Sequence, residues 1–154
     1  MNPDLQNTIP CAEAAEWTKA WRDKYQNDQK PVVNPTSAYL VPVVDLIEVL
    51  NEMGVLSDKI AEKAQGQACV KGLKIRAYMA IGSEDADEKL EEKLLVVGTK
   101  YNRKTKVYED IINEEVDGNE EELSAFGTPI TSSGIYDFTS PCPPSCDPYS
   151  PLNQ

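Results

Sequence analysis

The chain has 154 residues, the length of one ordinary domain, and its 15 basic and 26 acidic residues give it a net charge of −11. A field of this sign repels nucleic-acid phosphates and anionic lipid headgroups, so we expect neither nucleic acid nor a membrane surface as a partner. The apolar runs are too short to span a bilayer, and the sequence does not open on a basic and apolar export signal. We therefore expect a cytoplasmic protein.

The first predicted elements are a helix and an edge strand. Pro10 is well placed to start a helix over residues 11–26. A strand over residues 37–43 contains Pro42, which confines it to the edge of a sheet or to its own end. The helix carries a tryptophan pair that either packs in the core or docks a partner, and we favour packing. The residues at helical spacing are Ala14, Trp17, Thr18, Trp21 and Tyr25.

Two further helices are predicted before the main strands. Apolar residues on one face predict a helix over 43–53, which Gly54 ends as a C-terminal cap. Ser57 is the candidate cap of a short helix over 58–65, and Gly66 is its expected stop.

The strands follow in the second half of the chain. Alternating apolar residues predict a half-buried strand over 73–81, and a nearly continuous apolar run predicts a central strand over 93–101. An acidic loop over 83–92 connects these two strands, which we expect to pair as an antiparallel hairpin. Periodicity leaves residues 106–112 open between a strand and a helical turn, and residues 135–138 return as a last strand.

Together these elements predict an α+β domain over residues 1–139, in which two or three helices pack on one face of a small antiparallel sheet of about four strands. An acidic loop with glycine and serine, residues 113–134, belongs to this domain. Residues 140–154 form an extended tail rich in proline and cysteine, because proline excludes helix and interior strand.

The tail is the most distinctive candidate interaction site. Tyr136, Asp137 and Phe138 of the last predicted strand lead into it, and its prolines hold Cys142 and Cys146 near each other. These two thiols could form a disulfide, or they could supply half of a thiolate zinc site, and they are the only candidate metal ligands that we single out. The chain contains no histidine, so only two cysteines that we expect to be small buried apolar residues remain to complete such a site, and we predict no metal. The two are Cys11 and Cys69.

An enzyme is not expected. The chain lacks histidine for proton transfer near neutrality, and it contains no glycine-rich phosphate loop and no paired carboxylates before a helix. The parts of a catalytic site are therefore missing, and we expect no cofactor.

The acidic runs favour binding of a protein. Solvated loops are the plain interpretation, and the sharper one is a docking surface for a basic protein, as in an immunity protein, an antitoxin or a nucleic-acid mimic. The alternatives are self-association through the C-terminal tail and a thiol switch at Cys142 and Cys146. The residues that would form the acidic surface are Glu114, Glu115, Glu120, Glu121 and Glu122.

Three segments resemble a group of small bacterial proteins of uncharacterised activity. They are Gly72 to Tyr78, Leu95 to Gly98, and the tail Pro141-Cys142-Pro143-Pro144-Ser145-Cys146. The resemblance implies the fold and the tail, and it carries no activity to this chain.

Overall fold

The computed structural model describes residues 8–26, 36–83, 89–113 and 133–137, which form an α+β fold with an antiparallel sheet, as predicted. The predicted tail, residues 140–154, lies outside the described residues. Within them, no helix is both long enough and apolar enough to cross a membrane. The elements are α1 (Cys11–Gln26), β1 (Ala38–Pro42), α2 (Val43–Glu52), α3 (Asp58–Lys71), β2 (Lys74–Gly82), β3 (Glu91–Asn102), β4 (Val107–Asp110) and β5 (Ile135–Tyr136).

The sheet is organised around β3. The strand order is β1-β2-β3-β4, with β5 paired to β3 as well, and every pairing is antiparallel. The strand β4 pairs with Thr99 to Asn102, and β5 pairs with Val96 and Val97 farther along the same side of β3. The Ser133 carbonyl accepts a 3.0 Å hydrogen bond from the Asn113 N–H. Residues 114–132 therefore connect two strands that share one edge of β3.

The helix α1 covers one face of this sheet. Its tryptophans are buried, as the packing interpretation predicted, with Trp17 8% and Trp21 6% exposed. The core beneath α1 includes Leu95 and Val97 of β3 and Ile135 of β5. This arrangement places α1 opposite both the central strand and its β5 edge.

The helices α2 and α3 pack mainly against each other. Their shared core is small and consists of Ile47, Ala61 and Ala68, with Leu73 and other half-buried apolar side chains around it. A hydrogen bond of 3.1 Å from the Val43 N–H to the Leu73 carbonyl ties the start of α2 to the entry of β2.

Two sequence predictions in this region are wrong. The helix α3 does not stop at Gly66 but runs to Lys71, and Gly72 ends it in the left-handed conformation at φ 60°. An interior glycine costs a helix only about 1 kcal/mol, which the burial of Ala68 two residues later offsets. The longer helix also carries Cys69 on its exposed side, so this thiol is not buried.

Residues 106–112, which periodicity left open, contain the strand β4. It starts after a turn in which the Asn102 side-chain oxygen accepts the Lys104 N–H at 2.8 Å and the Thr105 N–H at 3.3 Å. Lys106 then adopts a φ of 59°, which closes the hairpin. A local side-chain hydrogen bond of this kind is invisible to hydrophobic periodicity.

Candidate functional site

A cavity of about 240 Å³ lies between α1 and the β3 to β5 part of the sheet. An engineered cavity of about 150 Å³ is enough to bind benzene, so this one has room for a small organic molecule. Most of its wall is apolar, with a few polar groups. The lining residues are Cys11, Ala14, Ala15, Thr18, Arg22, Tyr78, Leu95, Val97, Asp110, Ile112 and Ile135.

The cavity follows from the sequence of α1. The helix contributes five lining residues at positions 11, 14, 15, 18 and 22, a spacing that places them along one stripe. Four of them are small, so they do not fill the space above Leu95 and Val97, whereas the neighbouring Trp17 does fill its own part of the interface. The Cα atoms of Cys11 and Arg22 are about 16 Å apart along the helix axis, so the lining runs along about three turns of α1.

Tyr78 and Asp110 form a polar part of the cavity lining, and both accept a hydrogen bond from Arg76. The Asp110 carboxylate accepts hydrogen bonds from Arg76 Nη1 and from the Tyr78 hydroxyl, both at 2.5 Å, so each of its oxygens has a donor. Arg76 Nη2 also donates to the Tyr108 carbonyl at 2.7 Å. The Arg76 and Asp110 side chains are 23% and 16% exposed, which makes this a partly buried ion pair. Asp110 is therefore satisfied within the fold.

Tyr78 is kept protonated by its surroundings. Burial raises the pKa of its hydroxyl first, and the hydrogen bond to the Asp110 carboxylate raises it further, while Arg76 opposes both in part. Burial lowers the pKa of the Arg76 guanidinium, but the hydrogen bond to Tyr78 and the charge of Asp110 together outweigh it, so this pKa is raised overall.

The raised pKa of Tyr78 predicts a loss of stability in alkali. The stabilisation linked to its proton is fully present below the unfolded-state pKa of about 10 and is lost as the pH rises through the higher folded-state value. We expect the wild type to lose more free energy of unfolding than Tyr78→Phe between about pH 8 and about pH 11. Urea denaturation of both proteins at the two pH values measures this. Equal losses of free energy of unfolding in the two proteins would contradict the raised pKa of Tyr78.

Arg22 is the one cation among the α1 stripe residues. The other two cations near it on α1 have carboxylate partners, Asp23 for Lys19 and Glu92 for Lys24 at 3.6 Å. No ion pair joins Arg22 to an acidic residue within the described part of the chain. A guanidinium without an acidic partner among the described residues therefore borders a mostly apolar cavity.

The two predicted interaction residues just before the tail, Tyr136 and Asp137, have contacts inside the fold. Tyr136 is half-buried in β5 and forms an isolated bridge with Thr8. Asp137 is 8% exposed, and its carboxylate forms an ion pair with Lys93 at 3.1 Å. These contacts hold residues 136 and 137 against β3 and the segment before α1. Their predicted role in binding stays a prediction.

The other predicted site residues lie outside the described residues, so their roles stay predictions. This also applies to the zinc, disulfide and tail-assembly hypotheses. Within the four described ranges, no three potential metal-binding side chains of His, Cys, Asp or Glu come together. Cys11 and Cys69 are free thiols, Cys11 half-buried and Cys69 exposed. The residues outside are Phe138, Cys142, Cys146, Glu114, Glu115, Glu120, Glu121 and Glu122.

The net charge is very unevenly distributed along the chain. The described residues include 13 of the 26 acidic residues and 14 of the 15 basic ones, so their charges almost cancel. The remaining 13 acidic residues are accompanied by one basic residue, Lys30. Ten of these 13 fall in two segments, 84–88 and 114–122. Each segment lies within a connection between strands, from β2 to β3 and from β4 to β5.

Sequence reasoning missed the cavity and the polar part of its lining. Strand alternation does place Arg76 and Tyr78 on one face of β2, but only the pairing of β3 with β4 brings Asp110 to them. The sequence signal for the cavity was the row of small residues at helical spacing on α1 before Arg22. The tryptophan pair on the same helix indicated a filled interface instead.

Comparison with protein-family models, with curated proteins and with solved structures finds no match to this chain. Its function is therefore inferred from its own residues.

Proposed function

We propose that this protein is a non-enzymatic cytoplasmic domain that captures a basic protein through the acidic connections of its sheet. The uneven charge carries the proposal: the described residues are almost neutral, and ten acidic residues are concentrated in segments 84–88 and 114–122. If the charge served only to keep the chain dispersed, a scattered distribution would be sufficient.

The sheet supplies the attachment points of both segments. The first follows Ser83 and returns at Lys89, and the second follows Asn113 and returns at Ser133. Concentrated charge of one sign attracts a partner of the opposite sign before contact and raises association rates by about 10- to 1,000-fold. A rim of charge acts mainly on the association rate, whereas packed contacts determine the dissociation rate.

The experiment starts with capture of partners from a lysate of the source cells on the immobilised full-length chain. A basic protein obtained in this way is purified, and its association rate is measured between about 20 mM and about 300 mM NaCl, where screening becomes strong. We expect the rate to fall at least roughly ten-fold. A rate that is independent of salt would overturn the proposal.

Charge-neutralised variants test whether the acidic segment itself is responsible. Replacing the five glutamates of segment 114–122 by glutamine should slow association at low salt by roughly ten-fold and leave dissociation almost unchanged. The control neutralises five exposed acidic residues elsewhere, which gives the same net charge, and should slow association much less. Equal slowing by both variants would show that net charge alone acts. The first set is Glu114, Glu115, Glu120, Glu121 and Glu122, and the control set is Glu16, Asp45, Glu52, Glu62 and Glu91.

A further inference from the structure

The cavity beneath α1 has a chemistry that a basic protein partner does not explain. Its lining runs along about three turns of α1, is mostly apolar, and includes an arginine that has no acidic partner among the described residues. We propose that the cavity binds a linear monocarboxylate of medium chain length, with the carboxylate on Arg22 and the alkyl chain between α1 and the sheet.

The polar groups of the cavity determine which end of the ligand lies where. Both oxygens of Asp110 already accept hydrogen bonds, and its charge is compensated by Arg76. Arg22 has donors to offer, and a guanidinium binds a carboxylate with two parallel hydrogen bonds. The Thr18 hydroxyl, one turn before Arg22, also lines the cavity and donates at present to the Ala15 carbonyl at 3.1 Å. An anionic group therefore fits at the Arg22 end.

The lining of the cavity indicates the length and the apolar character of the rest of the ligand. From Arg22 the lining continues along α1 through Thr18, Ala15 and Ala14 to Cys11, about 16 Å between the first and last Cα atoms. The facing wall is made of branched aliphatic side chains. A straight chain of about eight carbons fits this apolar length, and its volume is compatible with about 240 Å³. The aliphatic residues of that wall are Leu95, Val97, Ile112 and Ile135.

The charge of the chain does not prevent such a ligand from binding. The described residues that surround the cavity belong to the almost neutral part of the protein, and Lys19, Arg22 and Lys24 all lie on α1 near the proposed carboxylate. The inference is independent of the basic partner, because it uses other residues.

Binding can be followed through the protein's own fluorescence. Trp17 and Trp21, the only tryptophans of the chain, are on α1 beside the lining stripe. Titration of the full chain with octanoate should give a Kd below about 1 mM. Within the series from butanoate to decanoate, each added methylene should tighten binding by up to roughly four-fold until the cavity is filled. An unchanged signal, or affinity that does not depend on chain length, would overturn the proposal.

Three ligands of equal chain length test whether the charge of the ligand matters. We expect octanoate to bind at least roughly ten-fold more tightly than 1-octanol, because only the carboxylate forms charge-assisted hydrogen bonds with Arg22. Octylammonium should be the weakest of the three. Equal binding of octanoate and 1-octanol, or preference for octylammonium, would rule out the role of Arg22.

Variants of α1 complete the test. Arg22→Met should weaken octanoate binding by roughly 10- to 100-fold and leave 1-octanol binding almost unchanged. Lys19→Met is the matched control, since it removes the same charge from the same helix at a residue outside the cavity lining. Ala15→Leu narrows the cavity at an exposed helix position, so it should weaken both ligands while the fold persists. Wild-type octanoate affinity in Arg22→Met would overturn the assignment.

Discussion

Replacing Lys93 by methionine is expected to lower the free energy of unfolding by about 3 to 5 kcal/mol. The Lys93 and Asp137 side chains are 11% and 2% exposed, and their charged atoms are 3.1 Å apart. Within the described part of the chain, neither carboxylate oxygen of Asp137 has a hydrogen bond of good geometry, so the ammonium group is its main compensation. Removal of the ammonium group leaves a buried carboxylate uncompensated. The loss comes from that charge, since the methionine retains most of the apolar stem.

The double variant Lys93→Met/Asp137→Leu separates the charge from the packing. It removes both charges, and replacement of a buried ion pair by apolar residues is often neutral or stabilising. We therefore expect it to recover most of the loss in urea denaturation. The control is Lys100→Met on the same strand, where the side chain is exposed and the change should stay within about 0.5 kcal/mol. A loss below about 1 kcal/mol in Lys93→Met would show that water compensates Asp137.

The Lys93 pair also shows what the sequence could not predict. Strand alternation was sufficient for β2 and β3, because each strand repeats its pattern over many residues of its own sequence. Asp137 precedes the proline-rich tail, so composition placed it on a surface, while its partner is 44 positions away in the sequence. Burial of a single charged residue depends on a contact across the sheet, and no local pattern encodes it.

The candidate site was unpredictable for a related reason. Helical spacing correctly assigned α1, but the same spacing describes both the filled space around Trp17 and the cavity beside it. A cavity is a shortage of side-chain volume between two elements, so it exists only once their separation is fixed. The acidic segments, in contrast, were evident from composition, and the first was already predicted as the connection between two strands. That the second also connects two strands depended on the assignment of β4.

Gly82→Ala is expected to lower the free energy of unfolding by about 3 kcal/mol, the upper end of what overpacking usually costs. Trp17 lies over this glycine at the end of β2, and an added Cβ would come within 2.0 Å of Trp17 Cδ2 and 2.2 Å of Cε2. Trp17 is buried in the main core, so its ring has little room to withdraw. The control Gly66→Ala adds the same methyl group where nothing lies within 4 Å, in a helix, and should stabilise by about 0.5 to 1 kcal/mol.

A double-mutant cycle identifies Trp17 as the cause. Trp17→Ala alone should cost about 3 to 5 kcal/mol, since it removes a large buried side chain. When Trp17 is already replaced by alanine, the methyl group of Gly82→Ala enters the space that the indole has left. The second substitution should then lower the free energy of unfolding hardly at all. The two losses are then far from additive, with a coupling of about 2 to 3 kcal/mol. Additive losses would place the strain of Gly82→Ala elsewhere and would remove the steric reason for a glycine at this end of β2.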